Sequence, residues 1–195
     1  MRIVYLFQAF LGTVLLSSCG SHTPAISFFS PQAHDTLLEH AFKDRLKPEK
    51  IQVMEASSRR FDKATQSVAE CYKHSMASKQ LPPKEALVER DKFVEDRIQT
   101  ARKQAMRNEC DPALVTLAEG LHTLMDSASD EHTDSDGMPK VWNPWKPWRH
   151  SPVEWWGHET AHDITAGDYW SQYQLLNAAF DKAFKGTPSI EEVMK

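Results

Sequence analysis

Apolar residues recur at helical spacing in several separate stretches of the 195-residue chain, whereas no stretch of useful length alternates between apolar and polar residues. The first pattern indicates one face of an amphipathic helix, and the second would mark a half-buried strand. We expect helices that begin after Ser30-Pro31, near Asp111-Pro112 and near Pro152, and helices over about 59–77, 84–107 and 169–184. The sequence therefore predicts an all-α fold.

The chain starts with one positive charge at Arg2, an almost wholly apolar run over 3–16, and Ser17-Ser18-Cys19. This is the pattern of a secretory signal peptide, and it is too short for a membrane span of about 20 apolar residues. Small residues before a cysteine resemble the lipobox of bacterial lipoproteins, which implies that Cys19 is lipidated and begins the mature chain. An ordinary secretory signal with an incidental cysteine is the alternative.

These features divide the chain into three parts. We expect a lipoprotein signal peptide over 1–18, a tether over 19–30 and a folded domain over 31–195. The resemblance implies a bacterial envelope protein held to the membrane by its lipid anchor. Gly20 after the cysteine favours the outer membrane.

Charge and cysteine content narrow the expectations for partners and cross-links. The formal net charge of −4 shows no basic excess, so a nucleic-acid partner is less expected. Cys71 and Cys110 would lie in an oxidising compartment, which predicts a disulfide between them. Two unpaired buried thiols are the alternative.

The long segment over 127–152 lacks helical periodicity and leads into a cluster of tryptophans. The clustered indoles are Trp142, Trp145, Trp148, Trp155 and Trp156. Indole rings suit a membrane interface or a stacked base, so they favour a lip around an active site. A loop packed onto the domain by its own aromatic side chains is the equally weighted alternative.

Two histidine patterns have the spacing of metal ligands. His122 and Asp126 are four residues apart on a predicted helix, and His132 follows beyond the helix end. Imidazole and carboxylate are both good zinc ligands. His158-Glu159-Thr160-Ala161-His162 matches the zinc-peptidase signature H-E-x-x-H, with Glu159 as general base. The context is poor for a peptidase, because a charged residue follows the motif directly.

The segment over 119–132 reads Glu-Gly-Leu-His-Thr-Leu-Met-Asp-Ser-Ala-Ser-Asp-Glu-His. It resembles the metal-binding core of the zinc-dependent phospholipase C / S1–P1 nuclease superfamily, closest to variants at the C-termini of Rhs-repeat polymorphic proteins. Segments around His34, Asp62, His74 and His158 resemble the family's other ligand positions and follow in its order. The resemblance covers roughly 31–165 and implies a compact multi-helix domain.

The resemblance also implies a cluster of two or three Zn²⁺ ions. Asp62, His74, His122 and Asp126 would hold one zinc, and Asp126 would bridge to a second that His34 would ligate. His132 and His158 would hold the third. His162 stands where the family typically has a glutamate, and an acylated Cys19 cannot supply the family's free N-terminal tryptophan ligand.

The implied activity is hydrolysis of a phosphodiester by a zinc-bound hydroxide, with Asp62 orienting or deprotonating the attacking water. The first expectation is a phospholipase C type enzyme acting on phospholipid head groups. Three alternatives stay open: an S1/P1-like nuclease on the same scaffold, an H-E-x-x-H zinc peptidase, and a non-catalytic metal-binding envelope lipoprotein.

Overall fold

A computed structural model describes residues 31–129, 132–142 and 166–195. Within these ranges the regular structure is helical, with three isolated β-bridges and no strand. The elements are α1 (Pro31–Phe42), α2 (Pro48–Ala64), a 3₁₀ helix (Val68–His74), α3 (Pro83–Met106), α4 (Cys110–Asp126), α5 (Ala166–Phe184) and α6 (Ile190–Val193). The all-α expectation is confirmed for the described part of the chain.

Several sequence expectations concern other parts of the chain. The signal peptide over 1–18, Cys19, the tether over 19–30 and the helix near Pro152 lie outside the described residues. So do His158, His162 and four of the five clustered tryptophans, Trp142 being the described one.

The helix expected over about 59–77 is wrong in position. α2 begins at Pro48, and after it ends at Ala64 a separate 3₁₀ helix covers Val68–His74. Proline suits the first turn of a helix because its fixed φ is already helical. The buried face of α2 includes Ser57 and Ser58, and these polar residues interrupt the apolar pattern that would have marked the helix.

α4 is the central helix, and it is buried on almost every side. Leu114, Leu117 and Leu121 are fully buried, as a helix surrounded by others requires. α2 and α3 pack along α4, and α1, the 3₁₀ helix and α5 also contact it. The last turn of α4 ends at Asp126, so this arrangement places a carboxylate inside the domain.

The expected disulfide is not formed: Cys71 and Cys110 are both buried as free thiols. They lie too far apart to be joined, as their positions in the fold show. Cys71 belongs to the 3₁₀ helix, whose Lys73 carbonyl accepts a hydrogen bond of 2.6 Å from Thr123 Oγ1. Thr123 is thirteen residues after Cys110 in α4, or about 20 Å at 1.5 Å per residue. A disulfide needs Cα atoms within about 7 Å of each other.

We therefore expect two titratable thiols per chain in residues 20–195 after unfolding without reductant. Burial raises the pKa of both thiols, to about 11 for Cys110, so in the folded protein they react slowly with thiol reagents. Thiol titration in denaturant, before and after reduction, measures this. A count that rises from zero to two on reduction would contradict the structure.

The length and polarity of the helices decide whether any of them could span a membrane. Across the described ranges, every helix falls short of the combined length and apolarity needed to cross a bilayer.

Candidate metal centre

Asp126 lies at the C-terminal end of α4 with only 1% of its side chain exposed, and imidazole nitrogens surround both of its carboxylate oxygens. The Oδ2 atom is 3.0 Å from His74 Nδ1 and 3.2 Å from His122 Nε2. The Oδ1 atom is 3.0 Å from His34 Nε2 and 3.5 Å from His132 Nδ1. One buried carboxylate therefore presents each of its oxygens to a different pair of histidines.

Asp62 completes the first donor group. Its Oδ1 atom lies 3.9 Å from both His74 Nδ1 and His122 Nε2, and these two nitrogens are 3.4 Å apart. In a tetrahedral zinc site with bonds of 2.0–2.2 Å, neighbouring ligand atoms are about 3.3–3.6 Å apart. The donor atoms of Asp62, His74 and His122 lie within 4.8 Å of one another, and Asp126 Oδ2 lies within 3.2 Å of both imidazole nitrogens, so these residues could hold a metal ion.

On the Oδ1 side of Asp126, the donor atoms that lie within 4.8 Å of one another are those of His34, His122 and Asp126, and His132 Nδ1 lies 3.5 Å from Oδ1. The His34 ring stacks on the His122 ring, with centroids 4.2 Å apart. The two donor groups are therefore in direct contact. Both groups are built from nitrogen and oxygen donors, which zinc accepts readily. If each group held a cation, the carboxylate of Asp126 would lie between the two and would offset their repulsion.

Separate elements deliver these side chains. His34 comes from α1, Asp62 from α2, His74 from the end of the 3₁₀ helix, and His122 and Asp126 from α4. Because His122 and Asp126 are one helical turn apart, they project from the same face of α4.

His132 lies in the turn after α4, and backbone hydrogen bonds hold this turn in place. The His132 amide donates to the Ser129 carbonyl at 3.0 Å, and the Lys140 amide donates to the His132 carbonyl at 2.7 Å. Lys140 also binds the chain just after the 3₁₀ helix, because its carbonyl accepts a hydrogen bond of 2.9 Å from the Ala77 amide. The turn that carries His132 is therefore fixed to the part of the chain that carries His74.

The pKa values of Asp126 and of the surrounding histidines depend on one another. Burial alone would raise the pKa of the Asp126 carboxyl, but His122, His132 and His34 outweigh it and hold this pKa well below its usual value. Burial likewise opposes a charged His74, but its contacts with Asp126 raise its pKa. Burial lowers the pKa of His122, and the neighbouring imidazoles of His34 and His74 act in the same direction. Asp126 opposes these effects, but the net direction favours the neutral form of His122.

Two hydroxyl groups support the imidazoles from behind. Ser58 Oγ is 3.0 Å from His122 Nδ1, and Thr65 Oγ1 is 2.9 Å from His74 Nε2. Neither residue was predicted from the sequence. Their signal is the spacing of Ser58, Asp62 and Thr65, which places the first two on one face of α2 and the third on the same side at its C-cap.

The structure thus brings together six of the eight residues expected to bind metal. They are His34, Asp62, His74, His122, Asp126 and His132. The other two, His158 and His162, lie outside the described residues, so the third zinc position and the H-E-x-x-H site stay predictions.

A third cluster, Cys110, Asp111 and Glu192, also has closely spaced donor atoms. Lys50 already supplies its cation, since Lys50 Nζ donates to Asp111 and Glu192 at 2.8 Å each. This ion-pair network links α6 to α2 and α4, and we do not assign a metal ion to it.

Comparison with known proteins gave no further assignment. Neither the protein families, nor the curated proteins, nor the solved structures compared with the chain gave a match.

Proposed function

We propose that this protein is a zinc-dependent phosphodiester hydrolase of the phospholipase C type, anchored to the bacterial envelope through Cys19. The observation that carries the proposal is the buried carboxylate of Asp126, whose two oxygens face two separate histidine groups. Such a bridge is what a two-metal site requires, and two-metal sites stabilise both the attacking and the leaving oxygen of a phosphoryl displacement. A single structural zinc would need only one of the two groups.

Zinc in this site would supply a water acidified towards neutral pH and positive charge for the phosphoryl oxygens. The chain's own residues would hold the ions and orient the reacting groups. Asp62 is suited to handle the water proton, because its side chain is 34% exposed while the side chains of Asp126 and His122 are 1% exposed. Gln66 Nε2 donates to Asp62 Oδ1 at 2.8 Å and fixes the carboxylate plane.

The choice of a phospholipid substrate draws on features outside the metal cluster. The chain has no basic excess with which to bind a polyanion, its net charge being −4. A lipid anchor would hold the enzyme beside its substrate. The tryptophan-rich segment, which begins at Trp142, follows directly on the turn that carries His132.

An assay of the purified protein with zinc should show release of phosphocholine from short-chain phosphatidylcholine. Asp62→Asn is expected to lower turnover by about 100-fold or more, because general-base groups contribute on the order of 10²–10⁴-fold. Asp91→Asn, on the exposed side of α3, serves as the matched control.

Other outcomes of this assay would point to the other functions. Cleavage of single-stranded DNA but not of lipid would indicate a nuclease. Peptide cleavage that Glu159→Gln abolishes would indicate the H-E-x-x-H site. Tight zinc binding without turnover on any of these substrates would indicate a non-catalytic metal protein.

Removal of zinc is expected to lower thermal stability. A ligand present at 100 times its dissociation constant stabilises the folded state by about 2.7 kcal/mol. For a domain of this size that corresponds to a fall in melting temperature of about 5–10 °C for each filled position. Calorimetry with zinc and after chelation measures the shift, and equal melting temperatures would contradict the proposed centre.

A further inference from the structure

We propose that Thr65 and Ser58 are positioning residues that determine which ring nitrogen of His74 and of His122 is offered to the metal. This inference rests on the metal centre of the proposed function, and it concerns two residues that are not themselves ligands. Both hydroxyl groups are buried, with 6% of Thr65 and 1% of Ser58 exposed.

The direction of the hydrogen bonds at Thr65 follows from its single proton. Thr65 Oγ1 donates to the Phe61 carbonyl at 2.8 Å, so its proton is already used. At 2.9 Å from His74 Nε2 the same oxygen therefore accepts, and Nε2 carries a hydrogen. The nitrogen left for a metal is Nδ1, which is the atom that lies 3.0 Å from Asp126 Oδ2.

Ser58 acts on the opposite ring nitrogen of the neighbouring histidine. Its Oγ atom lies 3.0 Å from His122 Nδ1, while His122 Nε2 faces Asp126 and His74. With Nε2 bound to a metal, a neutral His122 would carry its hydrogen on Nδ1, where Ser58 Oγ is placed to accept it. The two histidines thus direct different nitrogens at Asp126, and a buried hydroxyl lies at the opposite ring nitrogen in each case.

One helix face supplies both supports and one ligand. Ser58 and Asp62 lie in α2, and Thr65 is the residue that caps the C-terminal end of this helix. Their spacing of four and three residues places the three side chains on one side of α2. The adjacent Ser57 is equally buried, at 2%, but its hydroxyl donates to the Val115 carbonyl at 3.0 Å. Burial of a serine on α2 is therefore not enough; the position along the helix decides which serine supports a ligand.

Loss of either support should weaken metal binding without removing a ligand atom. Groups that orient ligating histidines typically contribute 10–100-fold to metal affinity. In Thr65→Val the His74 N–H would face a methyl group, and the ring would lose its preference for the Nδ1-bound orientation. Thr65→Ser keeps the hydroxyl and should keep the affinity.

The test combines zinc affinity with a direct view of the rings. Zinc dissociation constants of the full chain would be measured by competition with a chromophoric chelator for Thr65→Val, Thr65→Ser, Ser58→Ala and the matched control Ser57→Ala. Long-range ¹H–¹⁵N correlation spectra of the zinc-loaded protein would show which nitrogen of each imidazole carries the proton. We expect Thr65→Val and Ser58→Ala to weaken zinc binding by about 10–100-fold, and Thr65→Ser and Ser57→Ala to bind like the wild type.

The wild-type spectrum alone is decisive, even if a variant fails to fold. A proton on Nε2 of zinc-bound His74 and on Nδ1 of zinc-bound His122 supports the proposal, and the reverse assignment overturns it. Unchanged zinc affinity in folded Thr65→Val and Ser58→Ala also overturns it while leaving the metal centre intact. A wild-type protein that binds no zinc would instead overturn the proposed function, and the present inference with it.

Discussion

Replacing Asp126 with asparagine is expected to abolish zinc binding at both positions, with a loss of affinity greater than about 100-fold. This exceeds the 10–100-fold typical of residues that only orient a ligand, because here the ligand itself is lost. Four imidazole nitrogens lie within 3.5 Å of the two carboxylate oxygens. An asparagine would keep one oxygen and turn its amide group, a hydrogen-bond donor, towards the other histidine pair.

Elemental analysis and zinc titration of the purified protein measure this prediction. We expect two or more zinc ions per chain in the wild type and a sharp fall in Asp126→Asn. Asp91→Asn removes a carboxylate from the surface of α3, where the side chain is 63% exposed, and should leave the zinc content unchanged. One zinc that survives Asp126→Asn but is lost in His158→Ala would locate the metal in the H-E-x-x-H motif instead.

Part of the candidate site could be predicted because its geometry is local. His122 and Asp126 are one turn apart in a strongly periodic helix, so their common face follows from spacing alone. His34 is different, since it is 92 residues from Asp126 in the sequence and lies 3.0 Å from it in the fold. No local pattern places His34 there, and only the order of segments in the family resemblance suggested it.

The errors have physical causes as well. The start of α2 was missed because two of its buried positions are Ser57 and Ser58, whose hydroxyl groups make hydrogen bonds inside the domain. A hydrophobicity pattern cannot recognise a polar residue that is buried with a partner. The disulfide was expected from the redox compartment, which says nothing about the distance between Cys71 and Cys110. α3 has no such conflict, and its observed bounds, Pro83–Met106, lie within one residue of the prediction.

The other large effect concerns the core at the C-terminal end of α1. Phe180 of α5 is fully buried, with its ring centroid 4.8 Å from that of Phe184 and 5.5 Å from that of Phe42. Phe180→Ala is expected to lower the free energy of unfolding by about 3–5 kcal/mol, because it removes a large buried ring and leaves a cavity. Leu175→Ala on the same helix, where the leucine is 48% exposed, is the matched control and should cost far less.

Urea denaturation of Phe180→Ala with and without zinc would separate the stability of the helical core from that of the metal centre. Phe42, which contacts Phe180, lies eight residues beyond His34 in α1, or about 12 Å at 1.5 Å per residue. Effects at sites separated by more than about 7–10 Å usually add. We therefore expect the same loss in both conditions and an unchanged stabilisation by zinc. Loss of the zinc effect in this variant would contradict that independence, and it would mean that the packing of α5 against α1 holds His34 in place for the metal.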